Sequence, residues 1–173
     1  EIMLEKIEKL NALLKEAELG GGQYHLDRLA KQGKLPVRDR VKLLIDPDTP
    51  FLEISPFAAH GTSYTVGGGC VVGIGLVAGK ECVIFANDPS VLGGAMTVYV
   101  QEKWMRAIQI SRDNKIPFIN FVESAGADLR GAQGSATETR QLQYPHFASS
   151  GRSFYEMTEL SCLLYTSPSP RDR

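Results

Sequence analysis

The chain has 173 residues, of which 43% are hydrophobic and 23% charged, a composition that supports a folded core. Its formal net charge of −1 offers no basic surface for nucleic acid, whose binding depends on neutralising phosphates. No apolar run approaches the roughly 20 residues that span a bilayer, and the N-terminal stretch has no apolar segment of the signal-peptide type. We therefore expect a soluble globular protein that binds neither nucleic acid nor membrane.

The first 50 residues predict a series of short helices. Apolar residues at a spacing of three and four favour an amphipathic helix over 2–17, which the glycines at 20–22 should end. A basic helix over 24–32 should stop at Gly33, and Pro36 fits the first turn of a third helix that runs to Ile45. These helices form either an arm that packs on another structure or a helical cap of the same domain.

From Phe51 onward the pattern is typical of β-strands. A short strand is expected over 51–54, and the β-rich runs 70–77 and 81–86 predict a hairpin that turns through 78–80. The glycines within 73–79 are followed by a strand rather than a helix, which excludes a dinucleotide-binding fingerprint. No P-loop motif for nucleotide phosphates is present either.

Helical spacing returns over 91–111, and a nearly continuous apolar run follows over 116–122. In the helix we expect Lys103 to lie off the apolar face, which carries Val100, Trp104, Ala107 and Ile108. The apolar run predicts a strand buried on both faces. A strand, a helix and a strand in this order form a βαβ crossover, so we predict an α/β fold.

Residues with metal-binding side chains are scattered rather than clustered. Cys70 and Cys82 lie in apolar runs, where a free cysteine behaves as a small hydrophobe. His25, His60 and His146 are far apart in sequence. We therefore predict no metal site, and a reducing compartment.

Two small-residue segments are the candidates for chemistry. Gly93 and Gly94 follow a strand and precede a helix, where they either let the backbone approach a ligand with unpaired N–H groups or form a tight turn that needs positive φ. Glu123 to Ala127 (ESAGA) follow the apolar strand, at the place where α/β sheets bind ligands and where backbone N–H groups converge on an oxyanion. Glu123 either acts as a base or caps the turn. With no catalytic triad in the sequence, these segments predict a backbone-donor site for an acyl group.

Four segments, taken in order, resemble the carboxyltransferase (beta) subunit of biotin-dependent acyl-CoA carboxylases. They are GGGQYHLDRLAKQGKLPVRDRVKLLIDPDTPFLEIS, VGGGCVVGIGLVAG, ANDPSVLGGAM and FVESAGADLR. The FLEIS segment, the triple glycine at 67–69 and the AND…GG pattern are most similar to the 3-methylcrotonyl-CoA carboxylase branch. The resemblance covers residues 2–161.

The resemblance implies a crotonase-like (ClpP-like) fold, incomplete here and preceded by an N-terminal helical arm. It implies a transfer of the carboxyl group from carboxybiotin, held on a biotin carboxylase and biotin carrier partner, to an acyl-CoA. No biotin would be attached to this chain itself, and the full-length protein would be a homo-oligomer. Backbone N–H groups would stabilise the oxyanions of the thioester and of the ureido group, while the biotin nitrogen takes the substrate proton.

The resemblance also assigns site residues. Gly93, Gly94 and Ala95 match the family's GG[AS] turn beside the acyl-CoA, and residues 124–127 match its SGGA loop. It implies catalytic backbone donors at Ala125, Gly126 and Ala127, with further substrate-binding residues at Ser124 and Arg130; Arg130 either meets a CoA phosphate or is solvated. Two departures, Ala125 for the usual Gly and Glu123 for the usual Asp, favour a variant specificity or a paralogue acting on another acyl-CoA.

The ends of the chain suggest a fragment. It opens on Glu1, and residues 162–173 resemble the translation of a transposase-type sequencing adapter, although a natural Pro/Ser-rich linker has a similar composition. We expect a helical arm at 1–50, the N-terminal part of the carboxyltransferase domain at 51–161 and a non-native tail at 162–173. The family's second glycine pair and C-terminal domain do not occur in these residues, so the chain alone should be inactive.

Other functions remain open at this stage. They are the carboxyltransferase subunit of an acyl-CoA decarboxylase, a propionyl-CoA or geranyl-CoA carboxylase paralogue, a crotonase-type hydratase and a non-catalytic oligomerisation module. A hydratase would need paired acid and base carboxylates, for which only Glu123 is a candidate. The expected location is the cytoplasm, or the mitochondrial matrix if the source is a eukaryote.

Overall fold

The N-terminal helices form as the sequence predicts. The computed structural model describes residues 2–128 and 151–161. Helices α1 (Ile2–Leu19), α2 (Gln23–Lys31) and α3 (Val37–Leu44) follow one another through short turns. Gly20, with φ of +53°, ends α1, and Pro36 directly precedes α3.

Four strands form one sheet in the order β1-β2-β3-β4. They are β1 (Leu52–Glu53), β2 (Cys70–Val77), β3 (Lys80–Asn87) and β4 (Phe118–Phe121). Strand β2 is antiparallel to both β1 and β3, and β4 is parallel to β3. The predicted hairpin is confirmed, because β2 and β3 pair along their whole lengths through a turn at Ala78 and Gly79. In that turn both N–H groups donate to the carboxylate of Asp46, at 2.8 and 2.7 Å.

The sheet lies between α3 and α4 (Val98–Asn114), with a hydrophobic cluster on each face. Because side chains alternate along a strand, each face takes every second residue. The α3 face carries Val37, Val41, Val71, Cys82, Ile84 and Ala86. The α4 face carries Cys70, Val72, Val83, Phe85, Val100 and Ala107. The helix α4 connects β3 to the parallel strand β4, which confirms the βαβ crossover and the α/β class.

Helix α4 begins at Val98. The sequence pattern predicts an earlier start, at Val91. Residues 92–94 form a separate short 3₁₀ turn in which Gly93 and Gly94 have φ of +66° and +76°. Residues with positive φ cannot continue a right-handed helix, so the helix restarts after them. Thr97 caps the new start by accepting a hydrogen bond from the N–H of Val100 at 3.3 Å.

Two burial predictions were wrong. Strand β4 is not buried on both faces: Asn120 is exposed, and Val122, just after the strand, is 73% exposed. Among the described residues β4 is the edge strand of the sheet and pairs only with β3. Lys103 does not lie off the buried face of α4. It is only 5% exposed, whereas Trp104 is half-buried at the edge of the same core cluster.

A last helix, α5, spans residues 151–161 and is tied to α4 by charge. The buried carboxylate of Glu156 pairs with Arg112 of α4 and with Arg152 of its own helix. Over the described stretches, no helix combines the length and the hydropathy that crossing a membrane requires. Arg130, His146 and the tail at 162–173 lie outside the described residues.

Candidate active site

Two loops meet at one edge of the sheet. The first loop (residues 88–97) follows β3, and the second loop (residues 122–128) follows β4. In the parallel register Ala86 lies opposite Phe121, so both strands end at the same level. Ligand sites of α/β sheets lie at such carboxyl ends, because the loops there project side by side.

The two loops are joined by backbone hydrogen bonds. The N–H of Ala125 donates to the carbonyl of Gly93 at 3.1 Å. The N–H of Met96 donates to the carbonyl of Gly126 at 2.8 Å, and that of Asp128 to the carbonyl of Met96 at 3.0 Å. The structure therefore brings Gly93, Gly94 and Ala95 against residues 124–127, so that every candidate residue except Arg130 lies in this pair of loops.

Gly94 is required by both its conformation and its surroundings. Its φ is +76°, and its N–H donates to the carbonyl of Val91 at 2.8 Å in the tight turn that the sequence left as one alternative. A Cβ atom at this position would overlap the carbonyl oxygen of Glu123. The backbone of Gly94 therefore lies close to the second loop. Its N–H group is already bonded to Val91, so it is not an unpaired donor for a ligand.

Free backbone donors remain on both loops. Within residues 2–128 and 151–161, the N–H groups of Gly93 and Ala127 have no hydrogen-bond acceptor. The N–H of Ala125 instead joins the loops, and that of Gly126 donates to Oγ of Ser124 at 3.1 Å. Residues 124–127 are exposed, so the N–H of Ala127 is accessible to a bound molecule. Gly93 and Ala127 thus give the site one candidate oxyanion donor on each loop.

The departure from glycine at position 125 causes no backbone strain. Ala125 does not adopt positive φ, whereas the next residue, Gly126, has φ of +101°. The one residue of this loop that needs the conformational freedom of glycine has it.

Glu123 is held by two cations of the helical arm. Lys34 Nζ lies 2.6 Å from its Oε1, and Arg40 Nη1 lies 3.0 Å from its Oε2. The hydrogen bond from Lys34, together with the charge of Arg40, lowers the pKa of the Glu123 carboxyl. A carboxylate that is paired in this way is a weaker base, so the arrangement favours a structural role for Glu123.

This ion pairing predicts a pH dependence of stability. Since the pKa of Glu123 is lowered from its ordinary value of 4.5, its contribution is present above that value and is lost as pH falls through the folded-state pKa. The difference in free energy of unfolding between wild type and E123Q should be constant above about pH 6 and shrink below pH 4.5. Denaturant titrations at several pH values measure it. A flat E123Q difference down to pH 3 would contradict the assignment.

The arm also contacts the first loop, through the end of α1. The N–H of Gly21 donates to Oγ of Ser90 at 2.9 Å. Ser90 in turn donates from both its N–H and its hydroxyl to Oδ1 of Asp88, at 2.9 and 2.6 Å. A Cβ atom on Gly21 would overlap the carbonyl of Ser90, so glycine is needed where α1 meets this loop. Both loops are therefore anchored to the helical arm.

Sequence reasoning missed these anchoring residues. They are Gly21, Lys34, Arg40, Asn87 and Ser90. The glycine run after α1 and the NDPS segment after β3 were visible, but nothing local indicates that they touch. Across the described residues no group of three or more His, Cys, Asp or Glu side chains is placed to hold a metal ion.

The profile of the carboxyl transferase domain matches residues 28–162 of the chain. A probable biotin-dependent acyl-coenzyme A carboxylase beta2 subunit from Mycobacterium tuberculosis is 43% identical over 156 residues, which cover 90% of this chain and 27% of that protein. A probable mitochondrial methylcrotonoyl-CoA carboxylase beta chain from Drosophila melanogaster is 38% identical over 146 residues, covering 82% and 24%. The chain thus spans about a quarter of the length of these relatives.

Two solved structures that share the fold are a transcarboxylase and a carboxylase subunit. Transcarboxylase 12S, a hexamer with methylmalonyl-coenzyme A bound, superposes with a TM-score of 0.76 at 25% identity, covering 92% of this chain and 30% of that one. The beta subunit of geranyl-CoA carboxylase from P. aeruginosa superposes with a TM-score of 0.66 at 30% identity, covering 92% and 27%. The crotonase-like fold expected from the sequence is confirmed.

Proposed function

Because the chain belongs to the carboxyl transferase domain family, we propose that its two joined loops form part of the site where a carboxyl group passes from carboxybiotin to an acyl-CoA. The observation that carries this proposal is the pairing of Gly93 with Ala125 and of Met96 with Gly126, which sets two free N–H donors on adjacent loops. The relatives named as biotin-dependent acyl-CoA carboxylase and methylcrotonoyl-CoA carboxylase beta subunits support it.

The chemistry requires donors for negative charge rather than a side-chain nucleophile. Removal of a proton from an acyl-CoA would place charge on the thioester oxygen, and a carboxybiotin that gave up its carboxyl group would gain charge on the ureido oxygen. The N–H groups of Gly93 and Ala127 are fixed before the reaction and stabilise such oxyanions. A bound biotin would supply a nitrogen base for the substrate proton, so Glu123, paired with Lys34 and Arg40, is not needed as a base.

Among acyl-CoA substrates, we propose one like 3-methylcrotonyl-CoA. Relatives named as methylcrotonyl-CoA carboxylase beta subunits, from Drosophila (a probable one), Mycobacterium and Dictyostelium, are 38%, 39% and 39% identical, and one from Arabidopsis is 32% identical. A putative propionyl-CoA carboxylase beta chain from Bacillus subtilis and one from Roseobacter denitrificans are 33% and 32% identical. By analogy with the biotin-dependent relatives, we propose a biotin carrier protein as the partner. By analogy with the transcarboxylase hexamer, we propose a homo-oligomer as the active form. The compartment would be the cytoplasm, or the mitochondrial matrix in a eukaryote, as in the relatives named mitochondrial.

A substrate panel tests the choice of acyl-CoA. A chain of the relatives' length that carries these residues is combined with its biotin carboxylase partner, labelled bicarbonate and ATP. Methylcrotonyl-CoA, propionyl-CoA, geranyl-CoA and acetyl-CoA are then compared by kcat/KM. Methylcrotonyl-CoA should be preferred by about tenfold or more, the ratio that one or two methylene contacts supply. A preference for propionyl-CoA would contradict the proposed substrate class. If no acyl-CoA is carboxylated, the proposed carboxyltransferase function is contradicted.

A further inference from the structure

Arg40 of the helical arm contacts the beginnings of both loops. Its Nη1 lies 3.0 Å from Oε2 of Glu123, which precedes Ser124, and its Nη2 donates to the carbonyl of Asn87 at 3.4 Å. These partners are 83 and 47 residues away in sequence. Asn87 ends β3, and its Nδ2 donates to the carbonyl of Gly94 at 3.3 Å. One guanidinium therefore joins the start of each loop.

The geometry of the guanidinium suits this position. Its donors are held in a rigid plane, so two acceptors bound to it are also held at a fixed separation from each other. The ammonium of Lys34 binds only the other oxygen of Glu123, and its side chain is 50% exposed, where an ion pair contributes little. The side chain of Arg40 is only 23% exposed, and its two hydrogen bonds go to residues at the starts of the two loops.

A movement of Glu123 would reach the oxyanion donors directly. The carbonyl of Glu123 packs against Gly94, where no Cβ atom could fit. The next two residues lead to Ala125, whose N–H bonds the carbonyl of Gly93. Any change in the position of Glu123 relative to Asn87 therefore changes the relative position of the two free N–H groups.

We propose that Arg40 is a positioning residue for carboxyl transfer, which holds Glu123 and Asn87 at the separation that keeps both loops aimed at the reacting groups. This inference rests on the proposed function and adds to it the residue that sets the geometry of the donors. Arg40 does not touch the substrate in this account; it acts through the loops.

The same helix offers a matched control. Arg38 binds the carboxylate of Glu53 through Nη1 and Nη2, at 2.7 and 2.9 Å, and its side chain is 28% exposed. Its Nη2 also donates to the carbonyl of Ala17 in α1 at 3.5 Å. Glu53 lies in β1, at the opposite edge of the sheet from β4 and the second loop. Substituting Arg38 thus removes a part-buried ion pair of α3 and a long hydrogen bond to α1, but none of the bonds that Gly21, Lys34 and Arg40 make to the two loops.

The test compares R40Q and R40K with R38Q and R38K in a carboxyltransferase of the relatives' length with its biotin-carrying partner. R40Q should lower kcat about 10- to 100-fold, the scale of a misplaced catalytic group, while KM for the acyl-CoA changes by less than about threefold. R40K keeps the positive charge but lacks the planar pair of N–H donors of the guanidinium, so it should recover only part of kcat. The Arg38 variants should keep kcat within about twofold. Equal losses in both pairs, or an unchanged R40Q, would overturn the proposal.

Hydrogen exchange separates this inference from the proposed function. Amides of the segments 92–96 and 123–128 should exchange faster in R40Q and R40K than in wild type, and should be unchanged in the Arg38 variants. If the wild type transfers no carboxyl group to any acyl-CoA, the proposed function fails. The exchange comparison still decides the role of Arg40: faster exchange confined to the Arg40 variants supports the loop tether, and unchanged exchange overturns it.

Discussion

Replacing Gly94 with alanine is expected to abolish carboxyl transfer and to destabilise the fold strongly. Gly94 has φ of +76°, a conformation that costs an alanine about 1–2 kcal/mol. The added Cβ would overlap the carbonyl oxygen of Glu123, so the second loop must move, at a further cost of about 1–3 kcal/mol. That movement breaks the bond between Ala125 and Gly93 and separates the two free N–H donors.

Gly79 provides the matched control for this substitution. Its φ of +73° is nearly the same as that of Gly94, but no atom lies within 4 Å of the position of an added Cβ. G79A should therefore lose only the conformational term of about 1–2 kcal/mol and keep its activity. Denaturant unfolding and carboxyl-transfer rates of both variants measure the contrast. Equal effects in G94A and G79A would show that the contact with Glu123 has no consequence.

The second large effect is expected at Lys103, the buried lysine of α4. Its Nζ donates to the carbonyls of Gly67 and Cys70, at 3.0 and 2.8 Å. K103M removes both donors and leaves two buried carbonyls without partners, each at about 1–3 kcal/mol. Part of this is offset because burial already disfavours the ammonium, as its lowered pKa indicates. We expect a net loss of about 2–4 kcal/mol in the free energy of unfolding.

Arg106, on the exposed side of the same helix, is the control for Lys103. Its contact is a 3.1 Å hydrogen bond to Gln109 at the surface, so R106M should change stability by less than about 0.5 kcal/mol. Urea denaturation of the two variants tests the difference. A K103M protein as stable as wild type would mean that the cost of burying the ammonium equals the value of its two hydrogen bonds.

The features that local sequence predicts well are those made by neighbouring residues. The hairpin of β2 and β3 forms from two contiguous β-rich runs, and both site loops follow strands that are apolar enough to recognise. The predicted crossover makes β3 and β4 parallel, so that the loops after them lie at the same edge of the sheet. The sequence therefore predicts the two loops, whereas the hydrogen bonds that join them are seen only in the structure.

The rest depends on contacts between distant residues. Nothing around Arg40 indicates that it reaches Glu123, 83 residues away, or that α1 ends against Ser90. Lys103 was placed off the core because charged residues are rarely buried, yet the carbonyls around the triple glycine solvate its ammonium. Likewise, the spacing of apolar residues predicts that α4 starts at Val91, because this spacing carries no information about the positive φ of Gly93 and Gly94.

The most direct measurement of the central claim follows labelled carboxylate from carboxybiotin to methylcrotonyl-CoA in three proteins. Wild type, G94A and G79A are compared in a carboxyltransferase of the relatives' length with its biotin-carrying partner. If the joined loops are the site of transfer, label should pass to the acyl-CoA at similar rates in wild type and G79A, and at least about 100-fold more slowly in G94A. Transfer by G94A at the wild-type rate would contradict the account, because the two loops could then separate without affecting the reaction.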